Sequence, residues 1–247
     1  MQTQQKWSIN VSKELPIKAV VIISAGQEWQ VVLDAYPQAT LQSSPLGQWF
    51  SQEMKVAGQL EPVIFFHGGY GKIAAAASAQ YTLGRWSPQV LVNLGTCGGF
   101  EGDIEKGTII LVERTVVYDI INQIGSAAAA IAQFTTDIDL SWLQAPYPQP
   151  VLRTLLVSGD RDLLAEDIPR LKADYGAVAG DWESGAIAWV AGHNNTRCLI
   201  LRGVSDLVGG DGGEAYHGNM DVFVEGTRRV FEKLLPNLPA WLALALA

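Results

Sequence analysis

The chain has 247 residues, 48% hydrophobic and 17% charged, with 17 basic against 25 acidic groups and a net charge of -8. That balance excludes intrinsic disorder as the main state. An acidic chain without a Lys/Arg cluster leaves no electrostatic footprint for nucleic acid or for an anionic membrane surface.

The first 16 residues are polar and read as a leader, although Trp7, Ile9 and Val11 alternate as an edge strand would. A single domain is expected over residues 17–247. From Ile17 to about residue 235, short apolar runs alternate with helix-like stretches, the signature of an α/β sheet covered on both faces. A strand over Ala19–Ser24 and a helix over Gln27–Leu33 come first, then strands Gln48–Val56 and Pro62–Phe66 before a helix over Lys72–Leu83. A strand Gln89–Leu94 ends in the glycine-rich stretch Gly95–Phe100, which reads as a turn. The strand Thr108–Arg114 follows, and Ser126–Pro150 reads as a short helix and a surface loop. Next come a strand Val151–Val157, a helix Ala165–Asp174, a strand Ala177–Gly180, a helix Ser184–Ala191 and a strand Cys198–Val204. Gly209–Gly213 is too glycine-rich for regular structure, and a final helix is predicted over Val222–Leu235.

Two cysteines, Cys97 and Cys198, lie far apart in apolar runs and read as buried, reduced thiols. The run Ala19–Ile23 is too short for a signal peptide, and the apolar tail Leu238–Ala247 falls short of the roughly 20 residues that span a bilayer. A cytoplasmic chain is the expectation. The tail, with Trp241, suits either packing onto its own subunit or a subunit interface.

Gly69-Tyr70-Gly71-Lys72-Ile73-Ala74 follows a predicted strand, opens a helix and fits the dinucleotide pattern. The acidic ribose ligand expected roughly 20 residues later would fall in Gln89–Leu94, where there is none. Ile73 in place of Ser or Thr excludes a phosphate loop of the Walker type. A tight strand-to-helix turn is the simpler reading, and an NAD-dependent oxidoreductase the weaker one.

Three carboxylates stand at strand ends, where ligands bind in α/β sheets: Glu28 after the first strand, Glu183 at the start of an alanine-rich helix, and Asp206 after the strand Cys198–Val204. Each alone reads as a cap or a surface acid. Arg202, on an otherwise apolar strand, must find an anionic partner, and one of the three carboxylates is its expected partner. His67, His193 and His217 lack metal-ligand spacing, and no nucleophilic triad is evident. The residues therefore leave metal-free carboxylate chemistry.

Taken in order, VVIISAGQEW at 20–29, GGYGKIAAA at 68–76, VLVNLGTCGGF at 90–100, LLVSGD at 155–160, GDWESGAIAWV at 180–190 and LRGVSD at 201–206 resemble the nucleoside phosphorylase superfamily. Within it they are most similar to the 5′-methylthioadenosine/S-adenosylhomocysteine nucleosidase branch. The resemblance spans about residues 18–235. It implies a three-layer α/β/α fold around a mixed, largely parallel twisted sheet, no cofactor, a small-molecule nucleoside substrate and a homodimer. It assigns Glu28 to the attacking water, Asp206 to protonation of the purine N7, with Ser205 orienting it, and Glu183 to the ribose hydroxyls, with Arg202 beneath. Thr96, Cys97, Gly98, Trp182 and Leu163 are the further expected substrate contacts. The chemistry suits these roles, because breaking a glycosidic C–N bond builds positive charge on the sugar and negative charge on the departing base.

Two departures stand out. The family places an aromatic ring for the purine shortly after Ser158-Gly159-Asp160, where this chain has Arg161-Asp162-Leu163, and Trp182 is the candidate substitute. The segment between Asp119 and Leu155 is also shorter. A hydrolase of a 5′-substituted adenine nucleoside is the leading expectation, favoured over a phosphorylase because no arginine stands near Gly68–Lys72. A phosphorylase, a futalosine hydrolase-like enzyme and a nucleoside-binding protein without catalysis are the alternatives.

Overall fold

The computed structural model describes residues 16–247, so the leader, with its alternating Trp7, Ile9 and Val11, lies outside the described residues. The elements are β1 (Ala19–Ile23), α1 (Gly26–Ala35), β2 (Gln42–Ser44), β3 (Gly47–Val56), β4 (Gln59–His67), α2 (Lys72–Trp86), β5 (Val90–Phe100) and β6 (Ile109–Val117). They continue with α3 (Ala127–Gln133), β7 (Thr135–Asp137), β8 (Leu152–Ser158), α4 (Ile168–Tyr175), β9 (Ala179–Asp181), α5 (Ser184–His193), β10 (Arg197–Gly209), β11 (Gly212–Gly213) and α6 (Met220–Ala245).

The three layers follow from strand alternation. In β1, Ala19, Val21 and Ile23 join one core with α1 and α6, while Val20 and Ile22 join a second core with α2 and α5. Successive side chains of a strand point to opposite faces, so a run buried throughout requires helices on both. The sheet is mixed: β4, β1, β5 and β10 run parallel, as do β6, β8 and β9, with antiparallel joints at β10/β6 and β5/β9. These joints return the sheet on itself, because β5 pairs with both β10 and β9 and so closes a ring through β10, β6, β8 and β9. The sheet edge expected from the sequence is therefore the rim of a small closed ring.

Several predicted boundaries are corrected. The stretch Gly95–Phe100 is not a turn: β5 continues through it, paired to β10 as far as Phe100 and Val208. Its glycines mark close approach. A Cβ on Gly95 would lie 2.1 Å from Arg202 Nη1, and one on Gly99 would lie 2.7 Å from Val204 Cγ1. Side chains of the neighbouring strand and loop fill the space that β5 leaves empty.

Likewise, β10 runs on to Gly209, and Gly212–Gly213 returns as the two-residue β11, so this predicted loop is a short hairpin with Gly212 at φ 98°. The short helix expected after Ser126 does form, as α3, but in the predicted loop that follows it β7 pairs with β6. The predicted helix over Ala165–Asp174 begins only at Ile168.

The last helix runs ten residues past Leu235, through Pro236 and Pro239. Each proline costs about 3 kcal/mol in a helix interior. Burial of Leu234, Leu238, Trp241 and Leu242 against the sheet, at about 1.5–3 kcal/mol for each side chain, offsets that cost. Trp241 thus packs on its own chain. Among the described residues, no helix is long and apolar enough to cross a membrane.

Candidate active site

The site lies where β5, β9 and β10 meet the starts of α1 and α5. β1 delivers the chain to α1, and Glu28 in its first turn bends back, accepting the Ala25 N–H at 3.1 Å with Oε2. That is the bland helix-capping role. The other oxygen does something a cap does not: Oε1 accepts from Thr96 N at 2.6 Å and Thr96 Oγ1 at 2.8 Å, across the sheet on β5.

Glu183 sits at the entry to α5. Its Oε1 accepts the Gly71 N–H at 3.0 Å, and the next amide, Lys72 N–H, donates to Asp160 at 2.7 Å. Gly71, at φ 85°, allows this turn. The glycine motif that mimics a dinucleotide loop therefore spends its amides on the protein's own carboxylates, and its lysine pairs with Asp119.

Behind these acids lies Arg202, fully buried in the middle of β10. Its leading partner is none of the three predicted carboxylates. Nη2 is 2.9 Å from Asp181 Oδ2, against 3.4 Å from Glu183 Oε2, and Nη1 is 3.8 Å from Glu28 Oε1. Asp181 also accepts Ser158 Oγ and Ser184 Oγ, each at 2.5 Å, while Arg202 donates to Asn93 Oδ1 at 2.8 Å. One cation thus faces three buried carboxylates. Burial raises the proton affinity of Glu183, Arg202 opposes the rise, and Asp181 and Glu28 add to it.

Asp206 is on β10 rather than after it. A bulge between Val204 and Asp206 re-aims the strand locally, and Asp206 lines the cavity opposite Gly98, its register partner. Ser205 Oγ donates to Asp206 Oδ1 at 2.6 Å. Burial holds the Asp206 carboxyl above its ordinary range, opposed by the Ser205 hydrogen bond and reinforced by the nearby charges of Glu214 and Asp162. The bulge is clamped from outside by α6, because a Cβ on Gly226 would lie 2.3 Å from Ser205 O.

These groups line one cavity of about 780 Å³, the size of a small-molecule site. Glu28, Glu183, Thr96, Cys97, Gly98, Asp206 and Leu163 all line it; Glu28 is seated on Thr96, whereas Asp206 and Leu163 stand at Gly98. Thr96 and Gly98 are two residues apart, about 7 Å of strand. Burial makes Cys97 a very weak acid, so it contributes shape and no nucleophile. Trp182 lines the same cavity, and its ring lies 6.1 Å from that of Tyr70, edge to face. Arg202 does not line the cavity; besides the carboxylates it donates to Asn93, Ser184 and the Thr96 carbonyl.

Sequence reasoning missed Asp181, Ser158 and Tyr216. Asp181 carried one local signal, an acid three residues before Ser184 at a helix start; the rest of its setting comes from β8 and β10. Of the histidines, His67 stacks on Trp29 with centroids 5.4 Å apart, and burial lowers its proton affinity. Among the described residues, no cluster of three metal-ligating side chains occurs.

Comparison with known proteins agrees with this architecture. A family model described as the phosphorylase superfamily matches residues 18–236. A 5′-methylthioadenosine/S-adenosylhomocysteine nucleosidase of Haemophilus influenzae (strain PittEE) is 32% identical over 171 residues, covering 65% of this chain and 73% of that protein. The enzyme of the same name from Staphylococcus saprophyticus is 26% identical over 187 residues, covering 71% and 82%. Among solved structures, the MTA/SAH nucleosidase of Streptococcus pneumoniae in complex with 8-aminoadenine superposes with a TM-score of 0.73 at 19% identity, covering 92% of this chain and 99% of that one. The Arabidopsis thaliana 5′-methylthioadenosine nucleosidase gives 0.72 at 20% identity, covering 94% and 97%. With the fold, the ordered motifs and the family model in agreement over nearly the whole described length, the chain belongs to the phosphorylase superfamily.

Proposed function

We propose that the chain is a nucleosidase that hydrolyses the N-glycosidic bond of a 5′-substituted adenine nucleoside, of the methylthioadenosine or adenosylhomocysteine type. The observation that carries this reading is that one cavity holds both Glu28, seated on Thr96, and, opposite Gly98, Asp206, whose proton affinity burial raises. Its reaction type is also that of the nucleosidases it is similar to.

In this reading Glu28, held by Thr96 and the Ala25 amide, accepts a proton from a water molecule as the water oxygen bonds to C1′. The C1′–N9 bond breaks, its electron pair passes to the purine, and Asp206 delivers its proton to N7. Glu183 holds the ribose hydroxyls, accepting their hydrogen bonds. Trp182 and Tyr70 give the cavity an apolar wall for the sugar and its 5′ group. Thr96, Cys97, Gly98 and Leu163 complete the contacts, with Ser205 orienting Asp206.

Water is favoured over phosphate because the cations are already engaged. Arg161, the arginine on the cavity wall, pairs with Asp167 at 3.1 Å, and Lys72 pairs with Asp119. A phosphate nucleophile would need a free one. Incubation with methylthioadenosine, with and without phosphate, tests the reading. Adenine and free methylthioribose are the expected products in both; methylthioribose 1-phosphate would move the chain to the phosphorylases, and absence of base release would overturn catalysis. Asp206→Asn is expected to lower turnover by about 10²-fold or more.

A homodimer belongs to the same proposal. Tyr70, Ile73, Ile121 and Ile124 are exposed on two segments joined by the Lys72–Asp119 pair, beside the cavity mouth. An apolar cluster of that kind suits burial by a second copy of the chain. A cytoplasmic setting fits the two free, buried thiols, and residues 17–247 form the single domain of this reading.

A further inference from the structure

We propose that Tyr216, in the connection between β10 and α6, supplies the aromatic surface on which the purine base packs. The inference rests on the nucleosidase reading for the identity of the ligand and on geometry for the residue.

The base end of the cavity is located by Asp206, whose register partner on β5 is Gly98. Leu163 belongs to that end, because its Cδ1 stands 3.2 Å from the point where a Gly98 Cβ would be. Tyr216 is tied to the same place. Its hydroxyl donates to the Leu163 carbonyl at 2.9 Å, and the residue lines the cavity.

The ring is also fixed from behind. A Cβ on Gly213 would lie 2.5 Å from Tyr216 Cζ and 2.6 Å from both Cε atoms, so this part of the ring lies against the bare backbone of Gly213. The residue is partly exposed and lines the cavity, while it also packs against the core cluster that holds Leu163 and Val208. A ring held at its hydroxyl and over its outer carbons loses little rotamer freedom when a ligand arrives. Burial and the negative charges of Asp162 and Asp206 hold the phenol proton on, keeping the hydroxyl a donor to Leu163.

The other candidates for a stacking surface are less well placed. Asp162, on the same wall, has no π face. Trp182 and Tyr70 pair with each other; His217 and Phe223 also line the cavity, but of the rings described there Tyr216 is the one tied to Leu163. A purine whose N7 meets Asp206 therefore finds its aromatic neighbour in the β10–α6 connection, and the short β11 hairpin is the device that holds it there.

The test measures adenine binding by calorimetry and steady-state hydrolysis of methylthioadenosine for Tyr216→Ala and Tyr216→Phe, with thermal melts to verify folding. Tyr216→Ala is expected to weaken adenine binding about 5- to 150-fold, the range for loss of one base–aromatic stack, and to raise KM more than it lowers kcat. Tyr216→Phe keeps the ring and should stay within about threefold of wild type. Unchanged binding in Tyr216→Ala overturns the proposal. So does an equal loss in Tyr216→Phe, which would assign the effect to the hydroxyl tether. If Tyr216→Ala does not fold, Tyr216→Leu keeps the bulk without the π face and serves in the same comparison. A wild-type chain that binds adenine but releases no base overturns the hydrolase reading and leaves the Tyr216 comparison in force; one that does not bind adenine overturns this proposal.

Discussion

Arg202 and Asp181 form the tightest ion pair of the buried centre, 2.9 Å between Nη2 and Oδ2, although Asp181 contributes less to the cavity than to its support. Removing one partner of a buried pair leaves the other charge uncompensated. Arg202→Met, which abandons three carboxylates at once, is expected to lower stability by about 3–5 kcal/mol, read from urea unfolding at neutral pH. A loss below about 1 kcal/mol would mean that the acids are already neutral without it.

The acid role sets the direction of the pH profile. Asp206 must carry its proton, and burial raises its pKa, so activity should fall as pH rises through that value. Asp162→Asn removes a like charge and should move the alkaline limb to lower pH. Ser205→Ala removes the hydrogen bond that favours the carboxylate and should move it higher. Limbs that stay put in both variants would assign the titration to another group.

Stability should follow the same sign. Glu183 and Asp206 both bind protons more tightly folded than unfolded, so their contribution is fully present below the ordinary carboxylate values of 4.5 and 3.8. It is lost as pH rises through the raised ones. Glu183→Gln is expected to flatten the fall in melting temperature on the alkaline side of that window; an unchanged slope would show that Glu183 titrates normally.

Gly95→Ala tests the close approach of β5 to the charged centre. The new methyl would meet Arg202 Nη1 at 2.1 Å and Glu28 Oε1 at 2.8 Å, so the Glu28 carboxylate must leave its seat on Thr96. Turnover should drop at least tenfold, and stability by about 1–3 kcal/mol from overpacking. Gly84→Ala, with open space at its Cβ, is the control and should be neutral or slightly stabilising.

The proposed dimer face predicts that Ile121→Asp with Ile124→Asp yields a monomer in sedimentation, while a wild-type chain sediments as a dimer. A monomeric wild type would remove the second copy from the reading.

How much of this was legible in the sequence depends on how local each cause is. The apolar run of β1 and the alternation of strands and helices specify a covered sheet, and Glu28, Glu183 and Asp206 do converge on one cavity. Gly95–Phe100 misled because glycine weakens strands locally; the pressure that keeps it in a strand comes from Arg202 and Val204, about a hundred residues away. Pro236 and Pro239 misled in the same manner, since burial of Leu238 and Trp241 decides the helix. Asp181 was not recognised because the serines and the arginine that explain it come from three separate elements.

Helix α6 links two otherwise distant regions of the molecule. Its C-terminal turns bury Trp241 in the core, while Gly226 bears directly on the Ser205 carbonyl beside the acid. One helix thus carries both the packing of the chain's last turns and the wall against which the bulge beside Asp206 rests, so no larger residue than glycine fits at position 226 without moving that bulge.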